Sequence, residues 1–225
     1  MTLPIPLLAT LAGLAMAASQ WLIWVYAPVE ATLGPVQKIF YLHLPLAWWS
    51  LLSFGVTFVA SALYLLKKNL RFDLLAGAAA EIGVLFSSLA LITGSIWGRV
   101  SWNVWWTWDP RLTTTLVMWF IYAAYLLVRG LEMPRERKAT VAAVLGVVAF
   151  LDVPLVFWSA RLWRSVHPAV FASKGGGLTG EMATTVIACV GAWFFVWICL
   201  LLIRRRQLLQ QERLLGLQQT LSASN

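Results

Sequence analysis

The chain has 225 residues, 60% of them hydrophobic and 12% charged, with a net charge of +8 and a mean hydropathy of +0.78. Soluble domains average about 45–50% apolar and about 25% charged residues, so a single water-soluble core is excluded. The basic residues fall in short clusters between apolar runs, which excludes a nucleic-acid groove and leaves them the task of setting membrane topology.

Six apolar runs, about Ile5–Ala27, Leu44–Leu66, Leu74–Trp97, Leu112–Arg129, Ala139–Ala160 and Glu181–Ile203, each approach or exceed the roughly 17–25 residues that cross a bilayer as a helix. The expected fold class is therefore all-α: a polytopic membrane protein of six transmembrane helices. The exits of the even-numbered spans carry Lys67, Lys68, Arg71, Arg129, Arg135, Arg137, Lys138, Arg204, Arg205, Arg206 and Arg213, eleven of the 17 Lys and Arg. The positive-inside rule then puts both termini in the cytoplasm and the longer odd-numbered exits outside. Residues 1–206 form one six-helix domain, and 207–225 a Gln/Leu-rich cytoplasmic tail, either a short amphipathic surface helix or a solvated segment.

In the first span, Ala15-Met16-Ala17 looks like a signal-peptide cleavage site. A basic leader is missing, however, and the apolar run continues through Trp21-Leu22-Ile23-Trp24, so a retained helix is expected. The second span opens on Phe40-Tyr41-Leu42-His43-Leu44-Pro45, which places one of the chain's two histidines at the outer rim. Glu81, in the inner half of the third span, is expected to pair or snorkel.

The connection to the fourth span carries Trp97, Trp102, Trp105, Trp106 and Trp108, five of the fourteen tryptophans within twelve positions. An aromatic belt at the headgroup level accounts for scattered tryptophans, but less well for such a cluster. As a helix the segment would place Trp102, Trp105, Trp106 and Asp109 at i, i+3, i+4 and i+7, a shelf for a flat apolar ligand or a partner groove. Asp109 precedes Pro110 and is a candidate N-cap of span four. Arg111, in a first turn where the helix dipole disfavours cations, calls for an acidic partner, Asp109 or a ligand carboxylate.

In the fifth span, Asp152 lies two residues before a kinking Pro154 and is expected to pair with a basic or polar group beneath the outer rim. The second histidine, His167, follows in Trp163-Arg164-Ser165-Val166-His167-Pro168, at a depth similar to His43. Each histidine alone reads as an ordinary interfacial residue; two imidazoles beside a tryptophan shelf could hold a heme iron through both axial positions. In the sixth span Cys189 and Cys199, ten helical residues and about 15 Å apart, are too distant for a disulfide.

A magnitude limits what the shelf could do alone. Covering one porphyrin face removes on the order of 200 Å² of apolar surface, about 5 kcal/mol at about 25 cal/mol per Å², which is roughly millimolar binding. Useful retention would need iron–imidazole bonds and Arg–propionate pairs, for which Arg99, Arg111, Arg161 and Arg164 are available.

The stretch from Trp97-Gly98 through Trp102 and Trp105-Trp106-Thr107-Trp108-Asp109-Pro110-Arg111-Leu112-Thr113 resembles the WGxxxWxxWWxWDxRLT signature of the WWD-domain heme-handling proteins of cytochrome c maturation. Tyr41-Leu42-His43-Leu44-Pro45 is similar to the first histidine motif of the six-span heme exporter protein C (CcmC) family, and Asp152-Val153-Pro154 continuing to Trp163-Arg164-Ser165-Val166-His167 is similar to its second.

The resemblance implies heme b as a transient cofactor or substrate, held at the periplasmic face of the bacterial inner membrane. His43 and His167 would be the axial ligands, beside Trp97, Trp102, Trp105, Trp106, Trp108, Asp109, Arg111, Asp152 and Arg164. It implies delivery to a periplasmic CcmE-like heme chaperone, alongside CcmA- and CcmB-like ABC transporter subunits and a small CcmD-like membrane subunit. The chain has no Gly-x-x-x-x-Gly-Lys-Ser/Thr phosphate loop, so ATP hydrolysis would belong to partners. A binding and transfer protein is thus expected rather than an enzyme. The alternatives are a cytochrome c synthase-like heme lyase, whose WWD relatives are larger, and a heme or solute transporter, which would place polar or broken-helix features near the bilayer centre.

Overall fold

The computed structural model describes residues 5–163, 165–167 and 178–223. Six of its helical stretches are long and apolar enough to cross a membrane, and the chain is a multi-pass membrane protein. Helix α1 (Ile5–Trp21) runs into a π-helical turn, Leu22–Tyr26, and a 3-10 turn, Pro35–Ile39, leads into α2 (Phe40–Lys67). Then come α3 (Leu70–Trp102), α4 (Pro110–Gly130), α5 (Arg135–Ala149), α6 (Asp152–Leu162) and α7 (Gly180–Ala223).

The helix ends follow from local chemistry. Lys68 takes the left-handed conformation, φ 51°, and stops α2. One residue later the Asn69 side chain accepts the Arg71 N–H at 3.0 Å and starts α3. That two-residue connection folds α2 and α3 into the most extensively packed pair of the bundle. Small buried residues of α3, Ala76, Gly77, Ala78, Ala79 and Ala80, let neighbouring helices approach closely, the feature that packs helices in lipid, where apolar burial alone gives no preference for protein over chain tails. Hydrogen bonds between helices add to this. Trp197 Nε1 of α7 donates to Ser53 Oγ of α2 at 2.7 Å, and Trp49 Nε1 of α2 donates to the Val190 carbonyl of α7 at 3.1 Å.

The fifth apolar run crosses as one helical stretch, Arg135–Ser159, with a kink inside it. Pro154 has no N–H for the Phe150 carbonyl, and its ring crowds that oxygen. The kink falls at Phe150–Leu151, between α5 and α6, and Val153 N–H takes the Phe150 carbonyl instead, at 3.1 Å. Span three also exceeds its apolar core, reaching Trp102. Helix α7 continues past Arg204–Arg206 to Ala223 without interruption, so the Gln/Leu-rich segment is helical and in line with the last span.

At the end of the bundle where α3 begins, ion pairs cross between helices. Arg129 Nη1 and Nη2 meet Asp73 Oδ1 and Oδ2 at 2.6 and 3.1 Å, with Tyr125 Oη 3.3 Å from Nη1. Glu81 pairs with Arg204, whose Nη2 lies 3.0 Å from Oε1. Arg129, counted above only as a topology-setting cation, is thus half of a bidentate contact that ties α3 to α4.

Candidate functional site

The opposite end collects residues from the start of α2, the end of α3, the start of α4 and the segment after α6. On α3, Thr93 Oγ1 sits 3.1 Å from Nδ1 of His43. One position on, a Cβ built at Gly94 would lie 2.9 Å from His43 Cε1, closer than side chains approach each other, so the imidazole rests in the space the glycine leaves.

Helix α3 continues through Trp97, which is only 7% exposed, and ends at Trp102, with Asn103 in the left-handed conformation, φ 59°. Arg99 Nη1 donates to both the backbone and side-chain oxygens of Asn103 and fixes that turn. Ser95 Oγ then donates to the Trp105 carbonyl at 2.7 Å and draws the chain back along α3. The segment after Trp102 is therefore irregular, and the helical shelf expected from the spacing of Trp102, Trp105, Trp106 and Asp109 does not form. The left-handed turn at Asn103 takes these residues off a common helix face. The indoles pair differently: Trp97 with Trp102 at 5.9 Å between centroids, and Trp106 edge-on to Trp108 at 5.9 Å. Trp105 and Trp108 are 60% and 76% exposed. Nε1 of Trp97 and of Trp106 are buried without a hydrogen-bond partner among the described residues.

Asp109 is buried and has several roles at once. Its Oδ1 accepts the Arg111 N–H at 2.9 Å, capping α4 with Pro110 at the first helical position. The same oxygen accepts Ser165 Oγ–H at 3.0 Å, and Oδ2 accepts the Val166 N–H at 2.7 Å. Ser165 Oγ in turn accepts the His167 N–H at 3.1 Å. One carboxylate thus joins the start of α4 to the segment that carries the second histidine. The Arg111 guanidinium turns toward that segment, with Nη1 3.2 Å from His167 Nδ1.

The outcome is a pair of neighbouring imidazoles. The His43 and His167 ring centroids are 6.3 Å apart with planes inclined by 38°, and Trp97 stands edge-on to His167 at 6.4 Å. Two imidazoles bound to one metal from opposite sides, each through a bond of about 2.0–2.1 Å, have ring centres roughly 6 Å apart. Among the described residues there is no cluster of three His, Cys, Asp or Glu side chains that could hold a metal ion. Two imidazoles at this spacing suit a metal whose remaining ligands arrive with it, as in a heme.

Asp152 lies in the first turn of α6. Its Oδ2 is buried with no hydrogen-bond partner among the described residues, within electrostatic range of the Tyr122 hydroxyl, itself unpartnered. Arg164 and the Arg161 side chain lie outside the described residues. Sequence reasoning passed over Thr93, Gly94, Ser95 and Ser165. The Thr93-Gly94-Ser95 triplet, small and polar at the end of an apolar run, was the available signal for three of them.

The heme exporter protein C family matches residues 2–219 of the chain. The chain is 31% identical over 189 residues to heme exporter protein C of Haemophilus influenzae, covering 83% of this chain and 77% of that protein. It is 32% identical over 188 residues to a putative cytochrome c biosynthesis ccmC-like mitochondrial protein of Marchantia polymorpha, covering 83% and 79%. Heme exporter protein C of Bradyrhizobium diazoefficiens is 38% identical over 152 residues, 67% of this chain and 57% of that protein.

Proposed function

This chain belongs to the heme exporter protein C family, whose name ties it to heme handling in cytochrome c maturation, and we propose that it receives heme b as cargo between His43 and His167 and passes it to a periplasmic heme chaperone. The observation that carries this reading is the 6.3 Å separation of the two imidazoles. The nitrogen of His43 held by the protein is Nδ1, by Thr93, which leaves Nε2 to meet the iron; the Nδ1 of His167 faces the Arg111 guanidinium. Orientation of a ligating histidine through its other nitrogen is the usual means of fixing ring position.

Trp97 and Trp102 line one side of the porphyrin, and Trp105, Trp106 and Trp108 extend the apolar surface outward, where the exposed indoles meet a partner or the headgroup layer. The buried Nε1 donors of Trp97 and Trp106 suit oxygen acceptors on the cargo. Arg111, with Arg164, pairs with the propionates. Asp109 positions His167 and Arg111 together, and Asp152 supports the site from below. The excess of Lys and Arg on the even-numbered exits supports a site on the periplasmic side, with both termini in the cytoplasm, and the reading sets the chain in the bacterial inner membrane. Partners of the reading are a CcmE-like chaperone as acceptor, CcmA- and CcmB-like subunits that hydrolyse ATP, and a CcmD-like small subunit; the chain itself moves heme without catalysing a covalent reaction on it.

The test is heme titration of the detergent-purified protein, followed by optical spectroscopy after reduction. The expected result is the sharp-banded spectrum of bis-imidazole heme, lost or altered in His43→Ala and in His167→Ala. Unchanged spectra in both variants overturn the ligand assignment.

A further inference from the structure

The two histidines are held by groups of opposite hydrogen-bonding character. Thr93 has one hydroxyl hydrogen, directed to the Leu89 carbonyl at 2.8 Å and to the Ala90 carbonyl at 3.2 Å, one helical turn back. Toward His43 its Oγ1 therefore accepts, and His43 Nδ1 carries the proton. Neutral His43 thus presents an unprotonated Nε2, ready to bond a metal. On the other side, Arg111 has only donors. Its Nη1, 3.2 Å from His167 Nδ1, requires that nitrogen to accept. Neutral His167 then carries its proton on Nε2, the atom that would have to bond the metal.

We infer that Arg111 is a carboxylate-operated latch on the second axial position: it keeps His167 in the non-ligating tautomer until a carboxylate of the incoming porphyrin draws the guanidinium away. The inference rests on the heme-binding reading above and adds to it a specificity for iron porphyrins with free carboxylates. A charge-assisted, two-pronged Arg–carboxylate contact is stronger than an Arg–imidazole hydrogen bond, so the exchange runs forward when the carboxylate arrives. The proton count is conserved. Nε2 gives its proton to water, Nδ1 takes one, and the iron–Nε2 bond forms with no change of oxidation state. His43 binds first and His167 second. On departure, withdrawal of the carboxylate returns Arg111 to Nδ1 and weakens the His167 bond before the His43 bond.

The experiment titrates the detergent-purified full chain with ferric heme b and, separately, with ferric heme b dimethyl ester, whose carboxylates are blocked, reading coordination by optical and electron paramagnetic resonance spectra. Wild type is expected to give six-coordinate bis-imidazole iron with heme b but iron bound by one imidazole with the diester. In Arg111→Met, which has no donor, the diester is expected to become six-coordinate. Six-coordinate diester iron in the wild type overturns the latch and needs no variant to do so, as does diester iron still bound by one imidazole in a folded Arg111→Met. If heme b itself is not six-coordinate in the wild type, it is the heme-binding reading that fails.

Discussion

Gly94 and His43 occupy complementary volumes: a Cβ at position 94 would fall 2.9 Å from the imidazole Cε1, while the preceding residue, Thr93, holds the same ring by Nδ1 at 3.1 Å. Adjacent residues of α3 thus supply both the space and the hydrogen bond that set one imidazole. The offending atom is the far end of a side chain rather than backbone, so a methyl group there displaces the ring more readily than the helices. Gly94→Ala is expected to leave thermal unfolding in detergent within about 1 kcal/mol of the wild type while abolishing the bis-imidazole heme spectrum. A spectrum identical to wild type would show that the ring position does not depend on the glycine.

Asp109 links the helix cap to the histidine segment. Asp109→Ala removes a cap worth about 0.5–2 kcal/mol and leaves the Val166 N–H and Ser165 hydroxyl without their acceptor. The expected outcome is weaker heme binding of about tenfold or more, from hydrogen bonds to a charged group of about 1.5–3 kcal/mol, with His43 ligation retained. Asp109→Asn keeps the oxygen that caps α4 and is expected to fall between the two. Equal heme affinity in all three proteins would remove the positioning role.

The contact between Arg129 and Asp73 is the corresponding device at the other end of the bundle. Both side chains are mostly buried, at 18% and 11% exposure. Arg129→Met leaves a buried carboxylate without its partner and is expected to cost about 3–5 kcal/mol, with much of that recovered in the Arg129→Met, Asp73→Asn double variant. Gly77→Ala, whose Cβ would lie 2.7 Å from the Arg129 guanidinium, is expected to destabilise in the same direction. Thermal unfolding of the purified proteins measures both, and a double variant whose loss equals the sum of the Arg129→Met and Asp73→Asn losses would show that the groups do not act as a pair.

Trp105 and Trp108 are largely exposed and should contribute little to folding. Trp105→Ala and Trp108→Ala are expected to change stability by less than about 0.5 kcal/mol while lowering transfer of heme to an added heme chaperone. Loss of folded protein in either variant would instead mark these indoles as structural.

Much of this architecture was legible in residue order alone. The six apolar runs and their flanking charges defined the helices, and the two histidines were marked by rarity and by position at similar depth. Asp109 before Pro110 announced the cap. Three features were not legible, each because it depends on contacts between distant segments or on one backbone angle. Asn103 in the left-handed conformation ends α3 and undoes the helical shelf, which periodicity alone could not foresee. The Pro154 kink was foreseen, but not its place at Phe150–Leu151, where the freed carbonyl finds a nearer N–H. The pairing of Asp73 with Arg129 spans 56 positions and leaves no local pattern.

The two imidazoles are mounted on unequal supports. His43 belongs to α2 and leans on α3, the most extensively packed helix pair among the described residues, whereas His167 follows the kinked fifth span and is tied back through the Asp109 carboxylate. If the two imidazoles grip one cargo, as proposed, a clamp with one fixed and one tethered jaw is expected to open from the tethered side, the side of His167.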